Sequence, residues 1–501
     1  MKKFFRELRR RKVWQVMIVY VVVAWGLLQV ADTVLPIFGT PDWVLKAFTI
    51  LLALGFPIAL VFAWAFDLTP AGIQRASDLR ETEQPGPKAK VTDPSQNTSD
   101  RSRIAIMPFR QSGEGTELKA FSEGLAENIY SGLARFPYLA VVARDSVIHH
   151  TGEPDDLREF SRALGARYVI EGSVRQSGES LRVSVRLVEA ASGASLWADN
   201  YPCNLASTDL FEAEDDITDR VVATVADSFG VLVRAMVTEI VERPENELTP
   251  NDWVLRTFEY LRLYLPGSHG PMRDGLERAV KQHPRSAEVW ACLAHLYLNE
   301  YNFGFNPRPN PLDRALQAAD RAFELDGSSQ LVNQQLAQVY FFRQDQVRFR
   351  TAAERAILLN PRDTNTLGIL GLLMVHVRDF ERGMELTQRV MELNSNHAHW
   401  CHFSRIWFHF ARGEYEDALE AVSRVNISGN FWIPLATTSI YSALGREEEA
   451  RAAAARLLTL DPDIANHARA NIEAWHYASG LMEPLIDGLK QAGIEIPDLD
   501  S

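Results

Sequence analysis

The second half of the chain repeats itself. Three short tags read as helix ends: ELDGSS from Glu324, LLNPRD from Leu358 and ELNSNH from Glu392. They place Asp326, Asn360 and Asn394 at successive intervals of 34 residues. TLDPDI from Thr459 lies about two intervals further on, with RVNISG from Arg424 as a degenerate tag between. A period of this length marks stacked supersecondary units, here two antiparallel helices each. Trp290, Leu293, Ala294 and Tyr297 line a first helix, and Ala315, Ala319 and Ala322 give its partner the small residues that close helix approach needs. Leu336, Ala337 and Tyr340 are followed in the same way by Ala353 and Ala356, and Leu367, Leu370 and Gly371 open the next unit. Gly413, Tyr415 and Ala418, then Gly445 and Ala450, hold turn-then-helix positions, while Pro361 and Pro462 close their units because proline cannot continue a helix interior. One helix pair cannot bury its own apolar face. Stacked pairs share a continuous core and curl around a concave groove.

This register resembles the tetratricopeptide repeat over residues 250–464, with a degenerate first unit near residues 253–284. The insertion NFGFNPRPNP, residues 302–311, reads as a loop on one rim, and residues 465–501 as capping helices. The resemblance implies a protein partner held in the groove, with Trp290, Tyr297, Tyr340, His402 and Tyr441 as candidate groove residues. His397, His399, Cys401 and His402 are metal-ligand types at close spacing, but on one helix they would fall on different faces. No metal and no cofactor is therefore expected. Most of Trp400, Trp407, Phe408 and Phe410 read as packing.

The N-terminal end has a different character. Lys2, Lys3, Arg6, Arg9, Arg10, Arg11 and Lys12 precede an uncharged run over residues 13–31, and a second apolar run covers residues 45–66 with only Lys46 at its edge. Each is about the 20 residues a helix needs to cross a bilayer. The first is too long for a signal-peptide core and has no cleavage site behind it. Two such runs joined by PIFGTPDW read as a transmembrane helical hairpin within residues 1–74, with Trp14, Trp43 and Trp64 as interfacial anchors. The basic N-terminus, the turn without Lys or Arg, and Arg75 and Arg80 after the second run place both ends in the cytoplasm by the positive-inside rule. Residues 75–102 are rich in proline and charge and read as a flexible tether.

Between tether and repeats, residues 103–235 alternate strand and helix patterns. RIAIMPF reads as a buried strand ending at Pro108, residues 118–135 as a helix, YLAVVA as a strand, and residues 155–164 as a short helix capped by Asp155 or Asp156. RYVIEGSVR, LRVSVRLVE and residues 196–201 then form a meander. In its middle strand Leu181, Val183, Val185 and Leu187 share one face, and Arg182, Ser184 and Arg186 the other. Asp209 caps a long helix to about Val233. The order βαβαβββα is an α/β layer structure with a mixed sheet. The stretches IAIMPF, FSEGLAENIYSGLARFPYLAVVARDS and ALGARYVIEGSVRQSGESLRVSVRLVEAASGASLWADNY resemble the TolB-amino-terminal-like domain of bacterial proteins, and the opening FFRELRRRKVWQV, AWGLLQVAD and LLALGFPIAL resemble the membrane hairpin often placed before it. Members of that family combine the module with tetratricopeptide repeats, and some carry a class III nucleotide-cyclase or winged-helix domain, whose segments this sequence does not show.

The fold class expected is thus multidomain: a transmembrane hairpin, an α/β domain with a mixed sheet and an all-α solenoid. Glu123, Glu127, Asp145, Glu171 and Asp199 are scattered acids that read as solvated surface, and His149 and His150 as loop residues. There is no phosphate-loop lysine motif, no nucleophile elbow and no zincin helix; Gly113–Gly115 is too short for a dinucleotide fingerprint. No enzymatic activity is expected. A net charge of −13 argues against nucleic acid as a partner. Three distant cysteines, Cys203, Cys292 and Cys401, form no disulfide framework. The leading reading is a bacterial inner-membrane scaffold whose partners are the bilayer and a protein in the groove, with self-association left open. The alternative is a regulator in a signalling or transcription pathway related to adenylate cyclases but without the catalytic domain. The topology has a direct test: a periplasm-active reporter fused to the C-terminus should give no signal, and a strong one would refute the two-span hairpin.

Overall fold

The computed structural model describes residues 66–69, 72–75, 102–112, 116–150, 157–263, 265–427 and 429–497. The chain divides into two units, Met1–Asp93 and Pro94–Ser501. In the first, the described residues form a small antiparallel ribbon, β1 (Phe66–Thr69) with β2 (Gly72–Arg75). The two expected spans and the tether lie otherwise outside the described residues. At Phe66, the last residue of the second expected span, the backbone is already extended.

The second unit opens with a six-stranded mixed sheet in the order β5-β3-β6-β7-β8, with β4 also paired to β6. These are β3 (Ser102–Ile106), β4 (Arg110–Ser112), β5 (Leu139–Val141), β6 (Tyr168–Ser177), β7 (Ser180–Glu189) and β8 (Ala194–Asn204). β3 runs parallel to β5 and β6, and β6, β7 and β8 form the antiparallel meander. The strand expected to stop at Pro108 resumes beyond it. β3 pairs with the first residues of β6 and β4 with later ones, so the proline, which has no N–H to donate, sits at the bend between them. The alternation in β7 is realised: Leu181, Val183, Val185 and Leu187 are buried, and Arg182 and Arg186 exposed.

Helices α1 (Thr116–Leu133), α2 (Arg144–His150) and α3 (Leu157–Leu164) lie between the first strands, and α4 (Leu210–Ala226) and α5 (Val231–Ile240) follow the meander. His149 and His150 thus belong to a helix rather than a loop. α1 packs directly on α4. A Cβ at Gly132 would stand 2.7 Å from Val222 Cγ2, so only glycine lets the two helices approach this closely. Asp209 caps α4 as expected, accepting from the Phe211 and Glu212 amides. The long helix does not run on to Val233. It stops at Ala226, because Asp227 leaves helical geometry and turns its carboxylate back onto the Phe229 amide, 2.9 Å away.

The remaining chain is a succession of antiparallel helix pairs: α6 (Pro250–Leu263) with α7 (Pro266–Gln282), α8 (Ala287–Asn302) with α9 (Pro311–Leu325), α10 (Gln330–Phe342) with α11 (Gln346–Leu359) and α12 (Thr364–His376) with α13 (Phe380–Leu393). Then come α14 (Phe403–Arg412) with α15 (Tyr415–Ser423), α16 (Trp432–Ala443) with α17 (Glu447–Leu460), and α18 (Ile464–His476) with α19 (Met482–Gln491). The step from α10 to α12 is the 34 residues of the tags, and Asn360 and Asn394 sit at the C-caps of α11 and α13. The alanines of the second helices, Ala315, Ala319, Ala353, Ala356, Ala418 and Ala450, are all buried. The expected capping segment is a further helix pair of the same kind.

Sheet module and solenoid are not independent. One apolar core runs from Ile104 through the sheet helices to Cys401. At the junction Asp219 of α4 pairs with both Arg362 and Arg389. Asp227 accepts from the Thr364 hydroxyl at 2.6 Å and the Asn365 amide at 3.0 Å, so a residue of the sheet module caps α12. Asp363, the sequence-local cap of the same helix, accepts from the Asn365 and Thr366 amides. Burial pushes the Asp363 carboxyl up to about 7, with the neighbouring Asp227 charge adding to the rise. Burial likewise raises Asp227. A carboxyl raised above its unfolded value of about 3.9 stabilises fully below that value, and the contribution is lost as pH rises through the folded pKa. The junction should therefore weaken from about pH 4 to about pH 7, seen as a falling urea midpoint, and Asp363→Asn should flatten that limb. Asp227→Ala should destabilise at every pH by about 2–3 kcal/mol, since it removes the Thr364 hydroxyl's carboxylate acceptor and one of the two acceptors of the Asn365 amide.

Candidate functional site: the concave groove

The first helix of each pair turns one face inward, and together these faces enclose a cavity of about 1200 Å³. α8 contributes His295 and Asn302, α10 Gln334 and Gln338, α12 Asn365, Ile369, Leu372 and His376. α14 adds Phe403 and Trp407, α16 Trp432, and α18 His467, Asn471, Trp475 and His476. The cavity is larger than an ordinary small-molecule pocket, roughly 300–1,000 Å³. It opens to solvent.

The groove is closed at its floor by the last helix pair. The Trp475 indole donates to the Asn302 carbonyl at 3.2 Å, joining residues 173 apart in sequence. Its ring meets Phe342 edge-on at 5.0 Å and Phe303 at 5.7 Å. Trp407 and Trp432 stand edge-on at 6.1 Å, and His476 lies 4.7 Å from Trp407. The insertion after α8 reaches the groove as well: Phe303 stacks on Phe305 at 5.4 Å, and both line the cavity. Its base is held by the buried Glu300 carboxylate, which takes the Arg273 guanidinium at 3.0 Å, the Arg308 amide at 2.8 Å and Arg314.

Seven of the twelve histidines line this cavity: His295, His376, His397, His399, His402, His467 and His476. His376 and His476 touch through their Nδ1 atoms at 3.2 Å, one donating to the other. Burial pushes His376 down to about 3, and burial and then the His376 charge push His476 well down. His397 donates from Nδ1 to the Asn394 carbonyl at 3.0 Å, which leaves its Nε2 facing His402 Nε2 at 3.3 Å. Burial, followed by His397, brings His402 down to about 4.

Of the expected groove residues, His402 lines the cavity, 9 % exposed. The other four do not. Trp290 donates from its indole to the Pro284 carbonyl, and Tyr297 donates to Glu277 with the Arg314 guanidinium 4.3 Å above its ring. Tyr340 and Tyr441 lie likewise under Arg348 and Arg446. These tyrosines fill the seam between the two helices of a pair, a face that the 3.6-residue period separates from the concave one. Sequence reading missed Trp432, Trp475 and Phe305; two apolar faces per helix look alike until the stacking partner is known. His397, His399, Cys401 and His402 are also only partly united. They lie in and beside a short 3₁₀ turn, His399–His402, which lets His397 and His402 meet. His399 instead donates to the Arg424 carbonyl. Cys401 is buried and its thiol pushed up by burial, which disfavours the thiolate a metal would need. Among the described residues, His409, Glu414 and Asp417 are the three-residue group close enough to share an ion, but Glu414 is already paired with His409 and Arg412.

Residues 99–220 match the family described as HilA/YgeH-like transcriptional regulator, second domain. The putative adenylate cyclase 3 of Rhizobium meliloti is 30 % identical over 227 residues, which are 45 % of this chain and 38 % of that protein. The chain thus matches under two-fifths of that relative's length. Among solved structures, PilF of Pseudomonas aeruginosa is 16 % identical over 42 % of this chain and 92 % of its own, with a TM-score of 0.31. A tetratricopeptide repeat protein of Parabacteroides merdae is 15 % identical over 48 % of this chain and 98 % of its own, with a TM-score of 0.30. The class of protein rests on the helix pairs themselves: a mixed-sheet module followed by a helical solenoid of the tetratricopeptide type.

The histidines make the groove acid-sensitive. A histidine depressed below its unfolded value of about 6.5 stabilises above that value, and the contribution is lost as pH falls through it. His376→Gln should therefore shrink the drop in urea midpoint between about pH 7 and about pH 5.

Proposed function

We propose that this chain is a protein-binding scaffold whose solenoid groove holds a segment of a partner protein. The observation that carries the reading is the cavity of about 1200 Å³ walled by the inward faces of successive helix pairs. Aromatic rings on its floor, Trp407, Trp432 and Trp475, offer apolar anchor pockets, and amide side chains such as Gln334, Gln338 and Asn365 can pair with an extended backbone. The apolar runs over residues 13–31 and 45–66 support placing this scaffold at the bacterial inner membrane, tethered through residues 75–102, with the sheet module and solenoid in the cytoplasm. This reading assigns the chain no reaction.

A second reading is favoured by two matches: the HilA/YgeH-like transcriptional-regulator domain over residues 99–220 and the partial likeness to a putative adenylate cyclase. In it the same groove gates a separately encoded signalling or transcription component. Both readings need a partner in the groove and differ in what that partner does.

Photo-crosslinking in cells tests the shared requirement. A benzophenone amino acid at Asn396, which lines the groove, should capture a discrete partner, whereas the same group at Val347, 78 % exposed on α11, should not. Trp432→Ala should abolish the Asn396 crosslink while the far-ultraviolet spectrum is retained. Equal capture at both positions would sink the groove reading. Loss of a transcriptional or cyclic-nucleotide response on deleting the captured partner would select the second reading over the first.

A further inference from the structure

Among the described residues, one face of the sheet is only partly covered. α1 and α4 pack on its first face. On the second, α2 and α3 cover the β3 end, where Ala105, Val147, Leu164 and Ala166 form a small core, and Val169 and Glu171 of β6 and Val188 of β7 are buried as well. Beyond them, among the described residues, Arg175 of β6, Arg182 and Arg186 of β7 and Asn200 of β8 are exposed on this face. The register sets Arg175 opposite Arg182, Ser173 opposite Ser184 and Asn200, and Glu171 opposite Arg186; β4 adds Arg110 beside Ser173. Four arginines therefore share this face with one acid. The Glu171 carboxylate meets Arg186 Nε at 2.6 Å and Arg110 at 3.8 Å. Arg175 and Arg182 are exposed and have no ion-pair partner among the described residues. Like charges directly opposite on neighbouring strands destabilise a sheet. Arg175 and Arg182 thus stand side by side without a described counter-charge in a chain of net charge −13.

We propose that this face docks an acidic segment of a partner protein, with Arg175 and Arg182 taking its carboxylates. Guanidinium groups pair carboxylates bidentately, and the pairing removes the repulsion that the empty face carries. Side chains on one face of a strand recur about every 6.6 Å, the same repeat as alternate side chains of an extended acidic segment laid beside them. Single-stranded nucleic acid would call for aromatic rings to stack its bases, and these rows contain none. A flat sheet face has no element to enter a duplex groove. The surface lies on the sheet module and does not depend on the reading of the solenoid groove.

The test uses the full chain and a fluorescein-labelled dodecapeptide of alternating Glu and Ser, followed by anisotropy. Binding should weaken with added salt, and the double variant Arg175→Glu with Arg182→Glu should lose at least about tenfold in affinity, as expected for losing a charge-assisted pair. The double lysine variant should fall between the two. Arg182→Ser should raise the melting temperature, because it removes the like-charge pair without touching the core. Wild-type affinity in the double Glu variant would overturn the proposal. So would phosphatidylglycerol vesicles, or a twelve-nucleotide single strand, binding more tightly than the peptide through the same arginines. Groove crosslinking at Asn396 should be unchanged in the double Glu variant; its loss would show a general disruption and likewise overturn the assignment.

Discussion

Asp227 ends the last long helix of the sheet module and caps the first turn of α12 in the solenoid. Its carboxylate replaces solvent for the Thr364 hydroxyl and the Asn365 amide, and the helix dipole favours a negative charge at that end. The arrangement costs desolvation of two acids at one helix terminus, which is why both titrate high. In return the junction is directional. Asp219 grips Arg362 before α12 and Arg389 on α13, so that helix pair is held from the side as well as from its end. α12 then carries Asn365, Ile369, Leu372 and His376 into the groove. The sheet module thereby sets the orientation of a helix that walls the candidate binding site.

A solenoid built from identical pairs would leave its concave face open along its whole length. Here α18 folds back so that Trp475 reaches the carbonyl of Asn302 at the end of α8. The groove becomes a bowl whose floor is aromatic and whose polar rim comes from amides and histidines. Burying His376 against His476 keeps both rings neutral, and a proton on either would be an uncompensated charge in the floor. Protonating those imidazoles therefore weakens the bowl, and the junction acids pull in the opposite direction with pH.

Much of the architecture is legible in local pattern. The 34-residue spacing of Asp326, Asn360 and Asn394 gives the helix pairs, since each tag is a helix end whose cap chemistry is local. The alternation of Leu181 to Leu187 against Arg182 and Arg186 gives a half-covered strand, and Asp209 before an apolar run gives a helix start. The site is less legible. Tyr297, Tyr340 and Tyr441 look like groove residues but lie in the seams under arginines, while Trp475 sits in a stretch that reads as a terminal cap. The break falls at Asp227–Gly230, where Asp227 accepts from the Phe229 amide and also from the Thr364 hydroxyl of a helix 137 residues away; the local half of that cause was in the sequence, the distant half was not.

What the sequence determined by itself is therefore the set of elements and their periodic faces, because capping, strand alternation and helix spacing depend on residues a few positions apart. Tertiary structure alone decided which face of each helix became concave, which histidines met, and that the two modules share a core. Those outcomes depend on how successive pairs rotate against one another and on contacts between residues a hundred or more positions apart, such as His376 with His476 and Asp227 with Thr364. No local pattern encodes a partner that the chain supplies only after it has folded back on itself.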